Sequence, residues 1–502
     1  MSEQDTVRPT RSGNGAAEDT DERGSGLVER TLANLSVAWR DVAVGAARTV
    51  GLSVPEAAPD DSRALYRLMK ECLEARGGEV SARGRAAELG RRYLELDTDG
   101  RRRFLEILAR EFACDPDRVQ QAIGQVQAAV DDDRRLAAEA GLRRALVPPR
   151  VKILTQFNAL PDGVKFLVDL RAEVLQARGD DPYMRQLEGD LRELLTSWFD
   201  VGFLDLQQIT WHSPAALLEK LIAYEAVHEI RDWNDLRNRL DSDRRCFALF
   251  HPRMPDEPLA FVEVALTGEM AASVQRLLDE TAPEDDPKDA KAAIFYSITN
   301  TQRGLQGISF GEYLIKQVVN HLSHELPQIE TFATLSPLPG FRTWLDTAPE
   351  ETIDALVEDA ERKALARLSG QDNTRAAFQV LLARANWPDD PAVAGALQGP
   401  LRRLAARYLL ARRDNGAPLD PVARFHLKNG ARLERINWLG DISAKGLRQA
   451  AGIMVNYRYD LDDIEANHEA YMQESRIVLG NDAHRLIKGW KDADGKQLRR
   501  MA

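Results

Sequence analysis

Three separated stretches of this sequence carry residue types that can do chemistry. Thr334 to Phe341 reads TLSPLPGF: a short β-like run stops at Ser336, and Pro337 follows. A residue before proline is kept out of the helical conformation, so the Ser336 hydroxyl is held extended at a strand end. Ligands of open sheets gather at strand ends. No G-x-S-x-G surrounds it, so it is not a nucleophile elbow; the other reading is a turn serine bonded to its own backbone. Thr301 to Gly311 reads TQRGLQGISFG, between an expected strand and an expected helix. Glycines at 304, 307 and 311 let the backbone approach a ligand closely, and a helix N-terminus suits a phosphate. It is neither a Walker A loop nor a dinucleotide fingerprint, and a plain strand-to-helix turn is the alternative. His426 stands just before the turn signal Asn429-Gly430. There it is either exposed and titrating near neutrality, or buried and satisfied.

The NYRY segment, Asn456 to Tyr459, alternates polar and aromatic residues at the end of an apolar run. It reads as a strand with one face in a pocket, or as an ordinary edge strand. His321-Leu-Ser-His324-Glu325 has the wrong order and spacing for a HExxH zinc helix, so no metal site is expected. The other histidines show no clustering.

The elements that must position these residues fall into two halves. From Leu27 to about Gln176 the apolar residues repeat at helical spacing, as in Leu65, Leu68, Met69, Cys72 and Leu73, or Phe104, Leu105, Leu108 and Phe112. Asp115-Pro116 predicts a capped helix start, with Val119, Ile123 and Val126 on its apolar face. After about residue 190, strands are expected at 246–250, 259–266, 293–298, 330–335 and 453–459, interleaved with helices at 311–321, 376–385 and 401–412. That order indicates an α+β chain: an all-α helical domain over 27–194, then a mixed α/β domain over 195–502. Residues 1–26 are polar, charged and Gly-rich, which predicts a disordered tail.

Composition bounds the rest. The chain has 502 residues, 44% of them hydrophobic, and a net charge of −12. That is enough for more than one core, and it argues against a general nucleic-acid binder. Three dispersed cysteines, without a C-x-x-C pair, point to reduced thiols. No apolar run approaches a membrane span, and the first residues have no apolar signal core, so the cytoplasm is the expected compartment.

Taken together, FYSITNTQRGLQGISFGEYLIK, TLSPLPGF, RFHLKNGARLERINWLGDIS and MVNYRY resemble the malonyl-CoA decarboxylase family, in its order and with similar spacing. The resemblance covers most of the chain after about residue 195, and the helical half resembles the family's N-terminal domain more weakly. It implies a catalytic domain with the GNAT acetyltransferase fold, a homo-oligomer (dimer or tetramer) assembled through the helical domain, malonyl-CoA as substrate and no cofactor beyond the substrate's own coenzyme A. It implies catalytic roles for Ser336 and His426, and for Tyr459 as in some members. The acyl-CoA loop falls on Gln306, Gly307, Ile308, Ser309, Phe310, Gly311 and Glu312, and Asn456 is expected to touch substrate beside them. Animal members carry a glutamate where this chain has Ser309, so a carboxylate role at that position is not expected here. An acyl-CoA acyltransferase or a non-catalytic acyl-CoA sensor on the same fold are the alternatives.

Overall fold

The computed structural model describes residues 35–45, 62–74, 78–308, 310–413 and 416–487. The expected tail at 1–26 lies outside them, and so does Ser309.

Up to Trp198 the described chain is helical. Helix Ser62–Glu74 buries Leu65, Met69 and Cys72, one stripe of a 3.6-residue period. Helix Thr98–Glu111 starts at Asp97, whose carboxylate accepts the Gly100 N–H at 2.7 Å, and it buries Phe104, Leu105 and Leu108. Asp115 caps helix Pro116–Gln127 as expected, but Val119, Ile123 and Val126 are only half-buried there. The next helix, Asp132–Ala145, buries no residue at all. These two helices pack on each other and project from the bundle. The last helix, Pro182–Trp198, runs through the expected boundary at 194/195, because Leu195 continues the buried stripe of Met184, Leu187 and Leu191.

The second half is built on one eight-stranded mixed sheet: β1 (Asp205–Ile209), β2 (Arg244–Phe250), β3 (Ala260–Thr267), β4 (Ala292–Asn300), β5 (Thr331–Thr334), β6 (Ser336–Pro337), β7 (Arg432–Asn437) and β8 (Met454–Tyr459). The order is β1-β2-β3-β4-β5-β8-β6, with β7 on the other side of β8. All pairs are antiparallel except β4–β5. A parallel pair needs a crossover, and here the glycine-rich loop and helix Gly311–Glu325 supply it. That helix packs Leu314, Ile315, Val318, Val319 and Leu322 into the core. The mixed sheet behind a helical half is the expected α+β architecture.

NYRY is not an edge: β8 is flanked by β5 and β6 on one side and β7 on the other. One hydrophobic cluster runs from Phe166 and Leu167 in the helical half through Phe247 and Val262 in the sheet to Leu338 and Leu404. The two halves therefore share a core.

Candidate active site

β5 and β6 form one extended run interrupted at Leu335, whose N–H still bonds to the Phe295 carbonyl at 2.9 Å. Ser336 then pairs with Val455, and Pro337 with Met454. Pro337 has no N–H and keeps Ser336 extended, so the serine lies where the chain switches from one neighbouring strand to another. Its hydroxyl is buried and donates to Thr334 Oγ1 at 2.8 Å.

His426 sits in the last turn of helix Pro421–Lys428. The Asp420 carboxylate starts that helix by accepting the Ala423 N–H at 2.7 Å. The Asn429-Gly430 turn follows as expected, yet His426 is 2% exposed. The buried alternative is the one observed, because the helix packs its last turn against β8. The ring stacks on Tyr457 with centroids 4.6 Å apart. Its Nε2 lies 3.1 Å from Ser336 Oγ, and its Nδ1 lies 2.8 Å from the Tyr459 hydroxyl. Burial pushes its pKa down to about 3, so the imidazole is neutral. A neutral ring has one N–H. With the Ser336 proton directed to Thr334, that N–H is at Nε2 and points at Ser336. Nδ1 then accepts the Tyr459 proton. Thr334, Ser336, His426 and Tyr459 form one hydrogen-bonded chain.

Ser336 and His426 face a cavity of about 250 Å³ walled largely by apolar side chains, among them Phe295, Ile298, Pro337, Val422 and Phe425. A second cavity of about 520 Å³ is lined by Gln306, Gly307, Ile308 and Phe310 of the glycine-rich loop, with Gln302 and Arg303. Asn300, the last residue of β4, borders both. Gly307 has φ +82°, a left-handed conformation that other residues adopt at a cost. The helix Gly311–Glu325 opens at the loop's end, and its first amides have no partner inside the helix. Ser309 is outside the described residues, and only the helical backbone of Gly311 and Glu312 is described.

Asn456 does not belong with this group. It is fully buried. Its amide nitrogen donates to the carbonyls of Thr334 (2.7 Å) and Ala271 (3.0 Å). Its oxygen accepts from Asn437 Nδ2 (2.7 Å) and Arg435 Nε (3.0 Å). Every hydrogen-bonding direction is used within the protein, which leaves none for a substrate. The alternation of NYRY sends Asn456 to the opposite face from Tyr457.

Sequence reasoning missed five residues that line the larger cavity. Asn300 stands one residue before TQRGLQGISFG. Arg303 lies within that stretch, where the glycines are the stronger signal. Ala172, Leu175 and Gln176 come from helix Gly163–Ala177 in the helical half and line the larger cavity; nothing local marks them. Among the described residues no three metal-ligating side chains converge.

The model of the malonyl-CoA decarboxylase C-terminal domain matches residues 202–497, and that of the N-terminal domain matches residues 112–199. The chain is 38% identical over 412 residues to the mitochondrial malonyl-CoA decarboxylase of Anser anser anser, covering 79% of this chain and 82% of the relative. It is 40% identical over 363 residues to that of Rattus norvegicus, covering 70% and 74%. Among solved structures, malonyl-CoA decarboxylase from Rhodopseudomonas palustris matches with a TM-score of 0.75 at 44% identity, over 84% of this chain and 99% of that one. The Agrobacterium vitis structure matches with a TM-score of 0.76 at 41% identity, again over 84% and 99%. The chain belongs to the malonyl-CoA decarboxylase family.

Proposed function

We propose that the protein is a carboxy-lyase that converts malonyl-CoA to acetyl-CoA and CO2. The observation that carries this reading is the Thr334–Ser336–His426–Tyr459 hydrogen-bond chain, whose Ser336 and His426 face a small, largely apolar cavity. That cavity meets the one under the glycine-rich loop at Asn300. The loop and the helix start behind it hold the coenzyme pyrophosphate by backbone N–H groups. The malonyl group reaches past Asn300 to Ser336.

The chemistry then needs little else. The bond between the α-carbon and the carboxylate breaks, and CO2 leaves. The electron pair moves into the thioester as an enolate, so the thioester is its own electron sink and the step calls for no metal or organic cofactor. Apolar walls weaken the solvation of the carboxylate, and a donor aimed at the oxyanion contributes a few kcal/mol. Ser336 swings its O–H from Thr334 to the substrate and delivers the proton to carbon. The Nε2 proton of His426 moves to Ser336 Oγ, and the Tyr459 proton moves to Nδ1. No imidazolium forms, which suits a histidine that burial keeps neutral. A phenol is a far stronger acid than the α-position of a thioester, so the relay runs downhill toward acetyl-CoA.

Ser336 acts without a covalent acyl intermediate. Incubation with malonyl-CoA and no acceptor is expected to release CO2 and stoichiometric acetyl-CoA. Free CoA appearing only with an added amine would instead mean acyl transfer, and an acyl-Ser336 adduct found by mass spectrometry would overturn the non-covalent role.

We also propose self-association through the projecting helices Pro116–Gln127 and Asp132–Ala145. Its support is the exposure of Leu136 (58%), Leu146 (53%) and Val147 (57%) on and beside them. Leu136→Asp together with Val147→Asp is expected to lower the mass seen by light scattering. The proposed compartment is the cytoplasm, supported by three free cysteines, two of them buried. Among the described residues no helix is long and apolar enough to cross a membrane.

A further inference from the structure

The helical half reaches into the coenzyme loop through one side chain. Arg171, in helix Gly163–Ala177, is 1% exposed. Its Nη1 donates to the Gly304 carbonyl at 2.6 Å and its Nη2 to the Gln306 carbonyl at 2.9 Å. Its Nε and Nη2 also bond to Glu188 Oε1, at 3.1 and 2.7 Å. Glu188, on helix Pro182–Trp198, takes Arg178 Nη1 on its other oxygen at 3.1 Å. The loop lies directly on the helix: a Cβ on Gly304 would fall 1.7 Å from the Val168 carbonyl oxygen.

We propose that Arg171 is a positioning residue for the coenzyme end of the substrate. A peptide unit that points its carbonyl one way points its N–H the other way. By holding two carbonyls of the 304–306 turn on the helix side, Arg171 fixes the orientation of the peptide planes that enter Gly307. The cavity is bounded by the loop together with Ala172, Leu175 and Gln176 of the same helix. The Leu305, Gln306 and Ile308 N–H groups bond to the Gln302, Arg303 and Leu305 carbonyls, so it is the Gly307 N–H whose direction the Gln306 carbonyl contact sets before substrate arrives. The fork of N–H groups bridges two carbonyls and a carboxylate at once, which an ammonium cannot do in the same geometry. Glu188 offsets the charge, so the guanidinium can be buried without repelling its surroundings. The helical half is thereby part of the substrate site as well as a packing element.

This inference rests on the reading of the loop as the pyrophosphate cradle, and two substrates separate the two claims. Malonyl-CoA carries the nucleotide and its phosphates; the malonyl thioester of pantetheine does not. The parent enzyme is expected to favour malonyl-CoA strongly in kcat/KM. Equal use of both would remove the cradle reading, whatever Arg171 does. With that preference in place, Arg171→Lys is expected to raise KM for malonyl-CoA about tenfold or more with kcat changed less than about threefold, the loss of a charge-assisted contact. The pantetheine thioester is expected to be turned over at the parent kcat/KM. Equal losses on both substrates would show a general structural role, and no loss on either would show that the loop orients itself; each overturns the proposal. If Arg171→Lys does not fold, Glu188→Gln leaves the guanidinium in place without its counter-ion. The same split between the two substrates is expected from it, and equal or absent effects would again be fatal.

Discussion

Ser336 Oγ and His426 Nε2 stand 3.1 Å apart, although ninety residues separate them in the chain. The fold brings them together because β6 and the helix Pro421–Lys428 both lie against β8. If the relay runs through this contact, removing either end must stop proton delivery without disturbing coenzyme binding. Ser336→Ala and His426→Gln are each expected to lose about 10²–10⁴-fold in kcat, the usual range for a positioned acid, with KM little changed. The double variant should lose no more than the worse single one, since the two residues act as a unit. Additive losses, measured as acetyl-CoA formed per enzyme, would show that they work separately.

The buried histidine also sets a pH dependence. An ordinary histidine titrates near 6.5 when unfolded, and burial holds His426 down to about 3. Between those values the unfolded chain binds a proton that the folded chain does not. This group's contribution is therefore complete above about pH 6.5 and is lost as pH falls toward 3, at about 1.4 kcal/mol per pH unit at most. Urea unfolding from pH 7 to pH 4.5 should show a shallower loss of stability for His426→Gln than for the parent. Parallel curves would mean that His426 titrates alike in the folded and the unfolded protein.

Tyr459 tests the link beyond His426. Phe at this position keeps the ring in place beside Phe295 and removes the hydroxyl that donates to Nδ1. Without it, passing the Nε2 proton to Ser336 would leave an imidazolate. Tyr459→Phe is expected to lower kcat about ten- to hundredfold while the melting temperature stays near that of the parent, in line with a lost proton donor. An unchanged kcat would end the relay at His426.

The buried amide of Asn456 gives the opposite pattern. Asn456→Ala removes four hydrogen bonds that join β8 to Thr334, Ala271, Arg435 and Asn437. Each buried group left unpaired costs about 1–3 kcal/mol, so a large drop in melting temperature is expected. KM for malonyl-CoA should not move in the protein that remains folded. A raised KM at unchanged stability would restore Asn456 as a substrate contact.

These residues also show which parts of the fold were legible in the sequence. Helices with a clean stripe, such as Ser62–Glu74, and strands rich in buried apolar residues, such as β3 and β4, followed from spacing alone. β7 did not: a bulge between Leu433 and Arg435 puts its two buried apolar residues, Leu433 and Ile436, three apart. That breaks the alternation a strand is recognised by. β1 failed for another reason, because DLQQI has only Ile209 buried and reads as polar coil. Ser336, His426 and the loop were each visible as local anomalies. Their meeting was not, since it depends on strand order and on a helix that the Asn429-Gly430 turn signal obscured. Arg171 was invisible for the same kind of reason: its partners are carbonyls, which every residue possesses.

Arg303 yields the last prediction, and it is electrostatic. The protein carries a net charge of −12, while malonyl-CoA is itself a polyanion. At long range the two repel, so binding relies on cations close to the loop. Arg303 is exposed and lines the cavity that Gln306 and Gly307 border. An exposed cation acts through solvent, and its effect is screened over about 8 Å at physiological ionic strength. Arg303→Ala is therefore expected to raise KM for malonyl-CoA about three- to tenfold in dilute buffer, with kcat unchanged, a loss of uniform binding. The difference should shrink as salt is added, because the parent loses an attraction that the variant never had. Arg303→Glu should widen the gap in dilute buffer and close it more steeply with salt. A KM penalty that stays constant from dilute buffer to about 0.5 M salt would show instead that Arg303 makes a desolvated contact. The coenzyme phosphates would then lie deeper in the cavity than the loop mouth.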